Sequence, residues 1–273
     1  RFAGLRTAAY GALVLATMPL FFAHARSMPG DIVPMAASAI AFAGLGVALL
    51  DDSEDAPRFA ALFLGAVGLI AGFFSRGALL GVAVPTLAVG VVGLVPRLSS
   101  TDTASDQRAR DPRRLAPGAF LLLLVGCCVV LASARAAARA APGAIDPFLG
   151  SAVLQGRRWV TFDVTLSELG YGLFPWRALV PLALGRLLVA GPDPVGGGHA
   201  LDRLRALVAV GCALAFAAQA FLAPTVGAIP FVHVGLMAIA CALLLHDLHE
   251  SGRGFRAVAY SAIIGVALLA LDF

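Results

Sequence analysis

Arg26 and Asp31 stand five residues apart in the stretch His24-Ala25-Arg26-Ser27-Met28-Pro29-Gly30-Asp31, a short break between two long apolar runs. A guanidinium fork matches a phosphate bidentately. A carboxylate can take a proton from an attacking hydroxyl. Arg76, Arg157 and Arg158 add further bases, and Asp146, Asp163 and Glu168 further acids. These types suit transfer of a group from a lipid-type donor whose phosphate leaves. They are equally what interfacial salt bridges and snorkelling arginines look like.

The elements that must position them are apolar. The 273 residues are 60% hydrophobic and 13% charged, with a mean hydropathy of +0.90. A soluble domain carries about 25% charged residues. The composition predicts an all-α, polytopic integral membrane bundle, because backbone groups in lipid must be satisfied within each helix. Outer-membrane strands would alternate apolar and polar residues, and these runs do not. About nine spans are expected, near 5–23, 32–50, 59–75, 78–95, 117–139, 173–190, 204–222, 226–246 and 256–271. They form one transmembrane domain over 1–273. The third and fourth are split only by Ser75-Arg76-Gly77 and read as a tight hairpin, its glycines (Gly65, Gly68, Gly72, Gly77, Gly81) allowing close helix approach. The first residue is Arg and the last run ends at Phe273. Both ends read as cut from a longer chain.

All 20 basic residues are arginine. With the N-terminus cytoplasmic, thirteen fall at cytoplasmic ends and seven outside, which sets the orientation. Residues 96–114 are then a cytoplasmic linker and 140–172 the one extended extracytoplasmic loop, with a short amphipathic helix over 160–169. The expected location is the inner (plasma) membrane of a bacterium, with the site facing the periplasm. The net charge of +4 does not imply nucleic-acid binding, because the arginines flank spans.

Other motifs carry less. Cys127, Cys128, Cys212 and Cys241 lie inside apolar runs without metal spacing, so no metal is expected. Gly196-Gly197-Gly198 follows no strand and reads as a turn. His233 is expected to be a hydrogen-bonded packing residue, Gln219 to bond between helices, and His246 and His249 to be solvated.

Three elements together resemble a known family. They are the Ala-Arg-x(4)-Asp turn, the hairpin Gly72-Phe73-Phe74-Ser75-Arg76-Gly77 and the loop end Gly170-Tyr171-Gly172-Leu173-Phe174-Pro175-Trp176. They are similar to the middle of the lipid-dependent glycosyltransferases of family 39, in the GT-C fold, which include protein O-mannosyltransferases and lipid A aminoarabinose transferases. The likeness spans about 20–190. It implies transfer of a sugar from a polyprenyl-phosphate donor to a protein, lipid or glycan acceptor outside the cytoplasm, with no further cofactor. Asp31 would be the supporting acid of the second outer loop, Arg26 the arginine before it, and Arg76 the basic residue of the hairpin. By residue type rather than by the resemblance, Arg157 and Arg158 are further candidates for phosphate contact. Two features depart from the pattern. The family's principal acid has no counterpart here, and Ala78 stands where the hairpin often has Pro. The chain alone is therefore expected to be inactive. The alternatives are a secondary transporter or flippase-like carrier, which predicts midplane polar residues on broken helices, and a structural subunit without a site.

Overall fold

The computed structural model describes residues 2–26, 32–51, 57–99, 162–189, 198–226 and 229–251. Every regular element among them is helical: α1 (Gly4–Thr17), α2 (Pro19–Arg26), α3 (Ile32–Leu50), α4 (Arg58–Ala78), α5 (Val84–Ser99), α6 (Phe162–Gly172), α7 (Leu179–Val189), α8 (Gly198–Val226) and α9 (Val234–Ser251). A π-helical turn (Leu79–Ala83) precedes α5 and a 3-10 turn (Trp176–Ala178) precedes α7.

Three helical stretches are long and apolar enough to cross a bilayer: Ile32–Leu50, Arg58–Gly93 and Leu201–Leu222. A fourth is reached if α1 and α2 count as one bent span. The chain is thus a helical membrane protein by length and composition, and the expected nine spans are not found among the described residues. The reasons are local. Segments 117–139 and 256–271 lie outside those residues. Segment 5–23 is bent by 64° where Met18 turns extended, because Pro19 disfavours the helical conformation of the residue before it. Segment 173–190 contains the 3-10 turn after Pro175, leaving α7 only 11 residues. Segment 226–246 is interrupted, since Ile229–His233 are not helical and the next helix starts at Val234.

The predicted glycine hairpin takes a definite form. Gly77 has φ 75° and ψ −172°, a conformation that favours glycine. The chain reverses there. A Cβ on Gly72 would lie 2.7 Å from the Gly81 carbonyl oxygen, whereas nine residues of straight helix would part them by about 13 Å. Below this tip, α4 runs antiparallel to α3. A Cβ on Gly44 would sit 2.3 Å from the Gly65 amide nitrogen, and one on Gly68 would sit 2.5 Å from that of Ala41. The two backbones touch, as small residues at a membrane helix interface permit. The glycines of the hairpin thus pack inside the chain.

Around this pair, α5 packs on α3 and α8, α9 on α1, and α7 on α9. The apolar core is shared by all of these, with Val14, Met18, Leu45, Val208 and Phe231 fully enclosed.

At one end of the bundle lies a polar cluster. Arg205, near the start of α8, donates to Asp247 of α9 at 2.7 Å and to Asp202 at 3.4 Å. Arg186 of α7 reaches the same Asp247 at 3.5 Å. Arg203 caps the end of α3 through the Leu50 carbonyl at 3.0 Å, supplying one of the donors that a helix C-terminus lacks. Thr7 of α1 and His246 Nδ1 share a hydrogen bond of 3.1 Å. His246 is therefore bonded and half-buried, while His249 is exposed as the sequence suggests.

Candidate functional site

The opposite end gathers the residues with the chemistry. Arg76 lies one residue before the reversal at Gly77, held by a helix that buries its glycine face on α3. Its side chain is only 7% exposed. An arginine buried at the end of an apolar hairpin is a functional-site hypothesis by default, because removing its charge from water is costly. Gly44 pairs with Gly65 and Ala41 with Gly68, and the same register brings Ile32 opposite Gly77. The connection that carries Arg26 therefore enters α3 at the Arg76 end.

Arg26 ends α2, exposed, with its guanidinium 4.3 Å from the centre of the Phe22 ring. This cation–π contact holds it along its own helix. The described residues thus bring Arg26 and Arg76 to one end. Asp31, Arg157 and Arg158 lie outside the described residues, as do Asp146, Cys127 and Cys128. Asp163 is exposed on the first turn of α6. Glu168, one turn from the end of α6, accepts the Phe231 amide at 3.2 Å and so ties α6 to the segment before α9. The Gly170–Trp176 element of the sequence also closes here. Trp176 Nε1 donates to Thr17 Oγ1 at 2.8 Å, at the α1–α2 bend. A Cβ on Gly172 would stand 2.8 Å from Leu20 Cβ, so α6 lies close against α2.

Deeper in the bundle is a second polar group whose importance the sequence did not signal. Gln219 donates through Nε2 to the carbonyl of Ile229. That bond runs to the connection after α8 and not to another helix, which corrects the sequence reading. Gln219 lies two turns, about 10 Å, before the end of α8 at Val226. The chain therefore turns back into the bundle before α9 starts. His233 closes this re-entrant segment. It is 1% exposed, and its ring meets those of Phe42 and Phe231 edge-on at 6.0 Å. Phe42 is at the middle of α3, so His233 sits halfway along a spanning helix. Neither ring nitrogen finds a hydrogen-bond partner among the described residues, nor does Gln219 Oε1. His233 is a packing residue, and the polar group that acts on its ring is the Leu80 backbone. The only available sequence clue was Pro230, which cannot continue a helix interior.

Cys212 and Cys241 are buried free thiols, with Cys212 Sγ 3.8 Å from Met237 Sδ. No cluster of three or more His, Cys, Asp or Glu side chains suited to a metal ion occurs among the described residues.

No protein-family model, curated protein or solved structure matches the chain.

Proposed function

We propose that the chain is the membrane portion of a glycosyltransferase that takes a sugar from a polyprenyl-phosphate donor at the Arg76 end and passes it to a protein, lipid or glycan acceptor. The observation that carries this reading is Arg76, buried at a glycine reversal on the same end as Arg26. A fixed guanidinium beneath the surface suits a phosphate that gains charge as the sugar departs. Preorganised charge of this kind contributes most in a site shielded from water. The family resemblance supplies Asp31 as supporting acid, the charge and type of Arg157 and Arg158 suit further phosphate contacts, and the family's principal acid has no counterpart here. The arginine count supports an extracytoplasmic position for this end in the inner membrane.

In the natural polypeptide, Arg76→Gln should lower sugar transfer from a polyprenyl-phosphate donor by about a hundredfold, the usual effect of removing one stabilising donor. Arg76→Lys should keep membrane insertion and part of the rate. Wild-type transfer by Arg76→Gln would overturn the assignment. Labelling of cysteines introduced at positions 160 and 105 tests the orientation. Reagent from outside should reach the first and not the second.

A carrier is the second reading, and His233 is the observation that favours it. A buried polar side chain at mid-depth, beside the start of a helix that does not span, is the arrangement expected where a transporter binds its cargo. The two readings part on His233→Phe. It should leave sugar transfer intact under the first and abolish solute uptake into proteoliposomes under the second.

A further inference from the structure

Between α6–α7 on one side and α8–α9 on the other lies a cavity of about 510 Å3. Its wall is apolar, built from residues such as Leu166, Leu173, Val180, Leu184, Phe216 and Met237. Arg177 is the one charged residue among the described residues of that wall. It is half-buried, stands in the 3-10 turn at the Arg76 end, and makes no ion pair or hydrogen bond among the described residues. From Arg177 the groove follows α7 to Leu188, a rise of about 16 Å at 1.5 Å per residue. That is about half the 30 Å hydrocarbon core, the depth of a single leaflet. An acyl chain lying along α7 would reach from the headgroup level at Arg177 to the middle of the bilayer. The face is also separate from the Arg76 group. The groove takes Ala209, Ala213 and Phe216 of α8, whereas Gln219 and Leu222 of that helix meet the segment after α8.

We propose that this groove binds one chain of a phosphate-bearing membrane lipid, an anionic phospholipid of the leaflet at the Arg177 end, with its phosphate on the Arg177 guanidinium. The apolar wall gives affinity for the chain, and the single cation at its mouth gives preference for the charged headgroup. This holds whether or not the chain transfers sugar.

The test is native mass spectrometry of the whole chain in neutral detergent, titrated with phosphatidylglycerol and with phosphatidylcholine of the same acyl composition. One phosphatidylglycerol should be retained with at least a fivefold preference. Arg177→Gln should erase that preference and Arg177→Lys should keep most of it. Because Arg177 is half-exposed and has no partner among the described residues, neither variant threatens folding. Ala213→Trp, which fills the groove, should expel both lipids. Undiminished preference in Arg177→Gln would overturn the proposal. So would full displacement of the lipid by millimolar inorganic phosphate, which would mark a headgroup site without a chain. Efficient cross-linking of Ala213→Cys to Ile264→Cys, or to a second copy, would show that protein fills the groove instead.

Discussion

Gly81→Ala is expected to cost about 3 kcal/mol or more of stability, above the usual 1–3 kcal/mol of overpacking. The added methyl would meet the Gly72 carbonyl carbon and oxygen, both at 2.2 Å. These atoms are main chain at the tip of the hairpin and cannot step aside as a flexible side chain would. Relief requires the two limbs to separate, which pulls α4 away from its contact with α3. Thermal unfolding in detergent measures the loss. Gly185→Ala in α7 is the control, since its Cβ would meet nothing within 4 Å. Replacing a helical glycine there should stabilise by about 0.5–1 kcal/mol. Equal unfolding temperatures for the two variants would contradict the close packing of the tip.

Asp247→Leu is expected to destabilise the chain by about 3 kcal/mol, because it takes the closer carboxylate from Arg205, whose side chain is 9% exposed, and leaves the longer contact to Asp202 at 3.4 Å. Most of this comes from the arginine charge left undercompensated rather than from the pair's own attraction. Replacing both residues, Asp247→Leu with Arg205→Met, should therefore recover most or all of the stability. Arg186→Ala should have a small effect, since that side chain is 54% exposed and its contact is 3.5 Å. Denaturant titration of the single and double variants closes the cycle. A double variant as unstable as the single would show that the pair itself is the stabilising element.

Much of the fold was legible where one run of residues determined its own conformation. Segment 32–50 becomes α3 over the same residues, because its one proline, Pro34, lies in the first turn, where the amide has no helical partner to lose. The hairpin at Ser75-Arg76-Gly77 was legible because glycine spacing encodes both the reversal and the close approach. The short helix expected over 160–169 appears as Phe162–Gly172. The sequence misled where apolar composition hid a break. Pro19, Pro175 and Pro230 each stand inside a segment read as one span, and the chain bends or re-enters at each. Hydropathy averages over such residues, although each removes an amide donor and restricts the residue before it.

The candidate site was legible in part. Arg26 and Arg76 were singled out by charge beside apolar runs, and both lie at one end. Arg177 was passed over as a flanking charge, because its significance comes from a groove shared among four helices distant in sequence. His233 and Gln219 were read as ordinary polar residues. Their depth depends on a re-entrant connection that no local periodicity encodes.

The hydrogen bond between Thr7 and His246 joins residues 239 apart, and α1 packs chiefly on α9. By contrast, α3 and α4 are neighbours in sequence and meet through a short connection. Contacts of small sequence separation close quickly, while distant ones must wait for the intervening chain. The glycine-packed pair can therefore form while the ribosome is still at work. On this face α1 must remain unpartnered until α9 has emerged. Truncations within α9 should therefore leave α1 exposed to lipid and to membrane proteases.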